Sequence, residues 1–276
     1  MTDSPLIDPV ELAAAQTSDA PPRVLDVRYR LDAPDGSGAH RAGHVPGAVY
    51  VSLDDELAAH AGPAQGRHPL PSAAALQEAA RRWGLREGEP VVVYDDWNSF
   101  AAARAWWMLA DAGVAVRVLD GGLSAWRRAG LPLETGDVRA APGDVTLRPG
   151  RLPRLDIDEA ADLARTGVLL DARAPERYRG EVEPLDPRAG HIPGARNAPT
   201  TRNLDGTGRL RPVEELREEY ADLAGGPVGV YCGSGVTAAH AALALTVAGL
   251  RPALYPGSWS QWSNTPGRPV ATGPRP

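Results

Sequence analysis

The chain has 276 residues, of which 43% are apolar and 23% charged, and a net charge of −6. That length suits two domains, each with its own core, and the acidic balance does not suggest a nucleic-acid footprint. A single cysteine excludes an internal disulfide framework and the usual cysteine-rich zinc sites.

From the N-terminus, Met1 to Val10 carries Asp3 and Asp8 and no apolar stretch, so a secretory signal is not expected. No apolar run approaches membrane-spanning length, and a reducing, cytoplasmic location is the default. Short Val/Leu runs at 24–27, 91–94 and 115–119 predict buried strands. Between them, Ser72 to Trp83 opens on a capping residue and puts Leu76, Ala79, Ala80 and Trp83 on one helical face. Ser99 to Ala112, rich in Ala, Trp and Leu, predicts a buried helix. The stretch 136–152, with Gly136, Pro142, Gly143, Pro149 and Gly150, reads as a linker between an N-terminal domain (1–135) and a C-terminal one (153–276). Beyond it, 168–171, 228–231 and 252–255 predict strands, and Val213 to Leu223 and Thr237 to Ala248 predict helices. The alternation points to two α/β domains, each a mainly parallel sheet covered by helices on both faces.

The two halves repeat one another. Val24-Leu25-Asp26-Val27-Arg28 followed by Gly43-His44-Val45-Pro46-Gly47-Ala48 returns as Leu169-Leu170-Asp171-Ala172-Arg173 followed by Gly190-His191-Ile192-Pro193-Gly194-Ala195. Val91-Val92-Val93-Tyr94-Asp95 returns as Val228-Gly229-Val230-Tyr231-Cys232, and the Gly122 to Trp126 segment loosely as Gly257 to Trp262. Matching blocks in one order, at nearly constant spacing, mean a duplicated domain.

The chemistry concentrates at Cys232. The apolar run before it predicts a strand, Gly233-Ser234-Gly235 a tight loop, and Val236-Thr237-Ala238 the start of an alanine-rich helix. Glycines let such a loop turn successive N–H groups inward as an anion-binding nest, with the positive end of the helix behind it. A thiol there should ionise readily. The alternative is a buried structural cysteine, which would have no need of two neighbouring glycines.

These residues resemble a two-domain rhodanese-type sulfurtransferase: tandem Asp-x-Arg and Gly-His-[Val/Ile]-Pro-Gly-Ala halves, with Cys232-Gly233-Ser234-Gly235-Val236-Thr237-Ala238 in the second. The loop is similar to that of 3-mercaptopyruvate sulfurtransferases, where thiosulfate-preferring members typically carry Cys-Arg-Lys-Gly-Val-Thr. The resemblance implies that Cys232 takes a sulfane sulfur from a small donor as a persulfide. A thiophile such as cyanide or a thiol then accepts it, a thioredoxin-like protein being one candidate acceptor. The residues from Gly233 to Ala238 would cradle the sulfur, without metal or organic cofactor. Asp95 stands where the first half would need a cysteine, which implies a catalytically silent N-terminal domain.

The same resemblance implies a donor-binding arginine at Arg177, in Glu176-Arg177-Tyr178-Arg179-Gly180. The family's second arginine falls, by counting, on Asp186, leaving Arg188 as the nearest candidate and Arg179 as a fallback. A Ser–His–Asp arrangement would use Ser234, His68 and Asp54; the alternative makes His68 an ordinary loop histidine and Asp54 a helix cap. His44 and His191, and the Asp26/Arg28 and Asp171/Arg173 pairs, recur in both halves and so point to the fold rather than the chemistry. Trp259 and Trp262 either wall the site or pack the core. A cysteine phosphatase is disfavoured because Ala238 stands where Cys-x5-Arg would need its arginine. Mercaptopyruvate is the preferred donor, thiosulfate the alternative, and a persulfide carrier without turnover the alternative from another class. No nucleic-acid or membrane partner is expected, and a duplicated domain in one chain favours a monomer.

Overall fold

A computed structural model describes residues 4–276; Met1 and Asp3, part of the N-terminal reading above, lie outside the described residues. The chain divides into two compact units. The first consists of residues up to Ala59, Pro71–Arg151 and Asp205–Leu210, and the second of His60–Leu70, Leu152–Leu204 and Arg211–Pro276.

In the first unit the order is β1 (Leu6–Ile7), α1 (Pro9–Ala15), β2 (Arg23–Asp26), α2 (Ser37–Ala42), β3 (Val49–Tyr50) and α3 (Leu53–Glu56). It continues with α4 (Ala73–Arg82), β4 (Val91–Tyr94), α5 (Phe100–Asp111), β5 (Val116–Leu119) and α6 (Gly122–Arg128). The strands form one sheet in the order β1-β5-β4-β2-β3, every pairing parallel. The register sets Leu25 beside Val93 and Asp26 beside Tyr94, so the two carboxyl ends finish level. Ser72 caps α4 by accepting from the Ala75 N–H at 3.1 Å. Residues 136–151 pack on this unit: Val145 and Leu147 are buried, and the Gly143 N–H donates to the Arg81 carbonyl.

The second unit holds a 3-10 turn at Pro63–Gln65, then α7 (Ile157–Thr166), β6 (Val168–Asp171), α8 (Pro175–Tyr178) and β7 (Arg196–Asn197). After a further 3-10 turn at Thr200–Asn203 come α9 (Val213–Glu219), β8 (Val228–Tyr231), α10 (Val236–Val247), β9 (Ala253–Leu254) and α11 (Ser258–Asn264). Its parallel sheet runs β7-β6-β8-β9, with Asp171 beside Tyr231. Asp156 and Glu159 form a capping box at the start of α7, satisfying donors that a helix N-terminus would otherwise leave bare. The helix expected over Val213 to Leu223 ends at Glu219, and a separate 3-10 turn covers Ala221–Leu223. The break falls at Tyr220, which leaves helical geometry while its hydroxyl donates to Asn203 Oδ1.

The central strands β4 and β8 are buried on both faces and read as continuous apolar runs, with all four residues of each buried. Around β8 the core is built from Tyr231, Tyr255, Trp259 and Trp262, each at most 1% exposed. Trp259 and Trp262 are therefore core residues, their indole N–H groups donating to the carbonyls of Arg188 and Pro269.

The recurring polar residues tie strand ends to loops. Arg28 grips the Asp26 carboxylate and donates to the Gly43 carbonyl; Arg173 does the same with Asp171 and the Gly190 carbonyl. Burial opposes ionisation of Asp26, but hydrogen bonds from His40 and Arg28 hold its carboxyl below the usual range. His191 stacks on Tyr178 at 3.7 Å and His44 on His40 at 3.9 Å. In each, Nδ1 meets a backbone carbonyl. These groups hold the Gly-His-x-Pro-Gly turns in place.

Candidate functional site

The carboxyl end of β8 runs directly into Cys232, which is 1% exposed. In parallel α/β sheets this edge is where ligand sites form. The loop from Cys232 to Gly235 is short because Gly235 takes φ +81°, a left-handed conformation closed to most residues. A methyl group there would stand 2.3 Å from the Pro256 carbonyl oxygen, so the position also admits no side chain. The turn delivers the Gly235 N–H to Cys232 Sγ at 3.1 Å. Directly behind begins α10, twelve residues and almost wholly buried, whose N-terminal end adds positive potential at the thiol.

The loop is held rigid from the other side. Ser258 Oγ accepts from the Cys232 N–H and donates to the Tyr255 carbonyl. The N–H groups of Trp259 and Ser260 donate to the carbonyls of Cys232 and Gly233. These bonds fix the carbonyls of Cys232 and Gly233, and the Gly235 N–H is the loop donor that meets the thiol. In the second turn of α10, His240 is fully buried, its Nδ1 2.7 Å from Thr200 Oγ1. Burial pushes His240 down to about 3, so it is neutral and structural.

Of the residues singled out in the sequence, the second unit brings Ser234 and His68 together, Ser234 Oγ lying 2.8 Å from His68 Nδ1. His68 reaches the loop because residues 60–70 belong to this unit. Asp54 lies in the first turn of α3, in the first unit.

The three candidate donor-binding arginines have different surroundings. Arg177, in α8, is a fifth exposed and grips the buried Glu183 through Nε and Nη2. Arg179 is paired at the surface with Glu181. Arg188 turns the other way. Its guanidinium donates to the carbonyls of Trp262, Ser263, Thr265 and Arg268, closing the C-terminal end of α11. Four of its five donors are occupied by backbone, which corrects the expectation that it completes a donor clamp.

Sequence reasoning missed Arg67. It forms a short ion pair with Asp186, whose side chain is 2% exposed, and its tip lies against Gly233. The available signal was the adjacency of Arg67 to His68 together with the acidic residue found where an arginine was sought.

In the first unit β4 runs into Asp95 where the second unit has its cysteine. Its carboxylate, 1% exposed, accepts four backbone N–H bonds: Trp97 and Ser99 on Oδ1, Ala101 and Ala102 on Oδ2, at 2.8 to 3.0 Å. Burial pushes the carboxyl up to about 7, while these donors pull it down. The nest in this unit is filled by its own side chain. The Gly122 carbon lies so close to the Asp95 carbonyl oxygen that a methyl group would meet it at 2.3 Å.

Among the described residues no helix is long and apolar enough to cross a membrane. The rhodanese-like domain model matches residues 8–129 and 156–265. A putative thiosulfate sulfurtransferase of Mycobacterium tuberculosis is 51% identical, over 97% of this chain and 97% of that protein. A probable 3-mercaptopyruvate sulfurtransferase of Pseudomonas aeruginosa is 46% identical, over 99% and 100%. The crystal structure of SseA from Escherichia coli, described among 3-mercaptopyruvate sulfotransferases of the rhodanese fold, superposes with a TM-score of 0.82 at 32% identity, over 93% and 99%.

Proposed function

The chain belongs to the rhodanese-like domain family, and on that premise we propose that it is a sulfurtransferase, with 3-mercaptopyruvate as the preferred donor and Cys232 as the sulfur carrier. The observation that carries this reading is the Gly235 N–H held 3.1 Å from Cys232 Sγ at the N-terminal end of α10. A thiolate attacks the donor's sulfur there; the carbon–sulfur bond breaks, its electron pair passes to the pyruvate enolate, and Cys232 is left as a persulfide. Cyanide or a thiol then attacks the outer sulfur, and the sulfur–sulfur electron pair returns to the Cys232 thiolate.

The filled nest of the first unit supports the persulfide step. An aspartate carries its charge two bonds beyond Cβ, as a cysteine persulfide does, and Asp95 finds four N–H donors there. In the second unit the residues from Gly233 to Ala238 offer the equivalent cradle to the outer sulfur of Cys232. On this reading the first unit carries no sulfur, Asp95 standing at its cysteine position, and the second unit, which includes residues 60–70, is the catalytic one. The protein acts as a cytoplasmic monomer without metal or organic cofactor, and thiol acceptors include thioredoxin-like proteins.

The preference for mercaptopyruvate rests on the Ser234–His68 contact. Pyruvate leaves as an enolate and needs a proton, which this pair can deliver. Thiosulfate leaves as sulfite and needs none. With cyanide as acceptor, kcat/KM is expected to be higher for mercaptopyruvate than for thiosulfate. His68→Ala is expected to lower the mercaptopyruvate value by about 10²-fold while changing the thiosulfate value little. A preference for thiosulfate, or equal losses with both donors, would overturn this assignment.

A further inference from the structure

Two guanidinium groups converge on the loop beside Cys232, from different stretches of the chain. A methyl group built on Gly233 would stand 3.2 Å from Arg67 Nη2 and 3.3 Å from Arg177 Nη1. Each guanidinium is gripped from behind by a buried carboxylate. Glu183 takes Nε and Nη2 of Arg177, and Asp186 takes Nη1 of Arg67. The acids are 3% and 2% exposed, whereas the arginine side chains keep 20% and 26%. Glu183 is itself fixed by Arg173, at 3.3 Å. Asp186 stands 3.6 Å from Arg177, so it braces both arginines.

The nitrogens nearest Gly233, Arg177 Nη1 and Arg67 Nη2, accept no part in these grips. Arg67 Nε is buried and has no hydrogen-bond partner, and Asp186 Oδ2 accepts no hydrogen bond. A ligand anion seated over Gly233 would meet two Nη groups at once, one from each arginine, in the geometry that suits a carboxylate or a sulfonate.

Resting on the sulfur-carrier reading of Cys232, we infer that Arg67 is the second arm of the donor clamp, acting with Arg177, and that Asp186 is the positioning residue that aims it. The acidic residue at 186 is thus compatible with an anionic donor: it supplies no positive charge itself but holds the arginine that does. Lysine can replace Arg67 only in part, because one ammonium point cannot hold Asp186 and face the loop on two separate nitrogens.

The test is steady-state kinetics of Arg67→Gln, Arg67→Lys and Asp186→Asn with mercaptopyruvate and with thiosulfate, cyanide as acceptor, each variant also checked for its melting temperature. Arg67→Gln is expected to raise KM about tenfold or more for both donors with kcat within about threefold, the pattern of lost binding that is uniform between substrate and transition state. Asp186→Asn should raise KM less, and Arg67→Lys should fall between wild type and Arg67→Gln. At saturating donor, Arg67→Gln should still gain one sulfur at Cys232 by mass, because the clamp binds and does not react. An unchanged KM in Arg67→Gln, with only a lower melting temperature, would show that the Arg67–Asp186 pair is a staple and overturn the inference. A wild-type protein that gains no sulfur at Cys232 would instead refute the underlying sulfurtransferase reading.

Discussion

Cys232→Ser should abolish sulfur transfer from mercaptopyruvate and thiosulfate alike, a fall on the order of 10⁴-fold or more. The substitution keeps the size of the side chain almost unchanged in a position only 1% exposed. A serine oxygen can still accept from the Gly235 N–H, now held 3.1 Å from the sulfur, so the loop retains its shape. What disappears is the nucleophile: an alcohol is far less acidic than a thiol and does not become the anion that attacks the donor's sulfur. Turnover with cyanide and the thermal melting curve together decide the matter. Lost turnover with an unchanged melt is the expected result; turnover near the wild-type rate would remove Cys232 from the mechanism.

Asp95→Ala should be the most destabilising single change in the first unit, on the order of 4 kcal/mol. The substitution removes an acceptor that four backbone N–H groups share and leaves them bare at a site 1% exposed. Each buried donor left without a partner costs about 1–3 kcal/mol, and entry of water offsets part of the sum. The substitution also removes the anchor that shapes the entry into α5, where Ser99 sits at φ +61° without a cap of its own. Urea unfolding followed by tryptophan fluorescence reports mainly on this unit, which holds Trp83, Trp97, Trp106, Trp107 and Trp126 of the seven tryptophans. A loss below about 1 kcal/mol would mean that the nest relaxes freely and that Asp95 is not its keystone.

Much of this architecture is legible in the sequence for a physical reason. A parallel strand buried on both faces must be an unbroken apolar run, and β4 and β8 are such runs. A left-handed turn against a backbone oxygen must be glycine, which marks Gly235. Features made by long-range pairing were not legible. Strands of two residues, β1, β3, β7 and β9, carry too little pattern to stand out, although the run at 252–255 contains β9. The segment 60–70 looks like part of the first repeat because it is continuous with it, yet it belongs to the second unit. That is why Arg67 was overlooked, since its partner Asp186 lies 119 residues away. Arg188 misled because proximity to Gly190-His191 in sequence says nothing about direction. Its guanidinium caps α11, a use that only the positions of the Trp262 and Ser263 carbonyls disclose.

The most direct test of the central claim is the mass of the protein, and of its Cys232 peptide, after incubation with mercaptopyruvate in the absence of any acceptor. The account predicts a gain of one sulfur, located at Cys232, that is released as thiocyanate when cyanide is added. No gain, or a gain located away from Cys232, would contradict it.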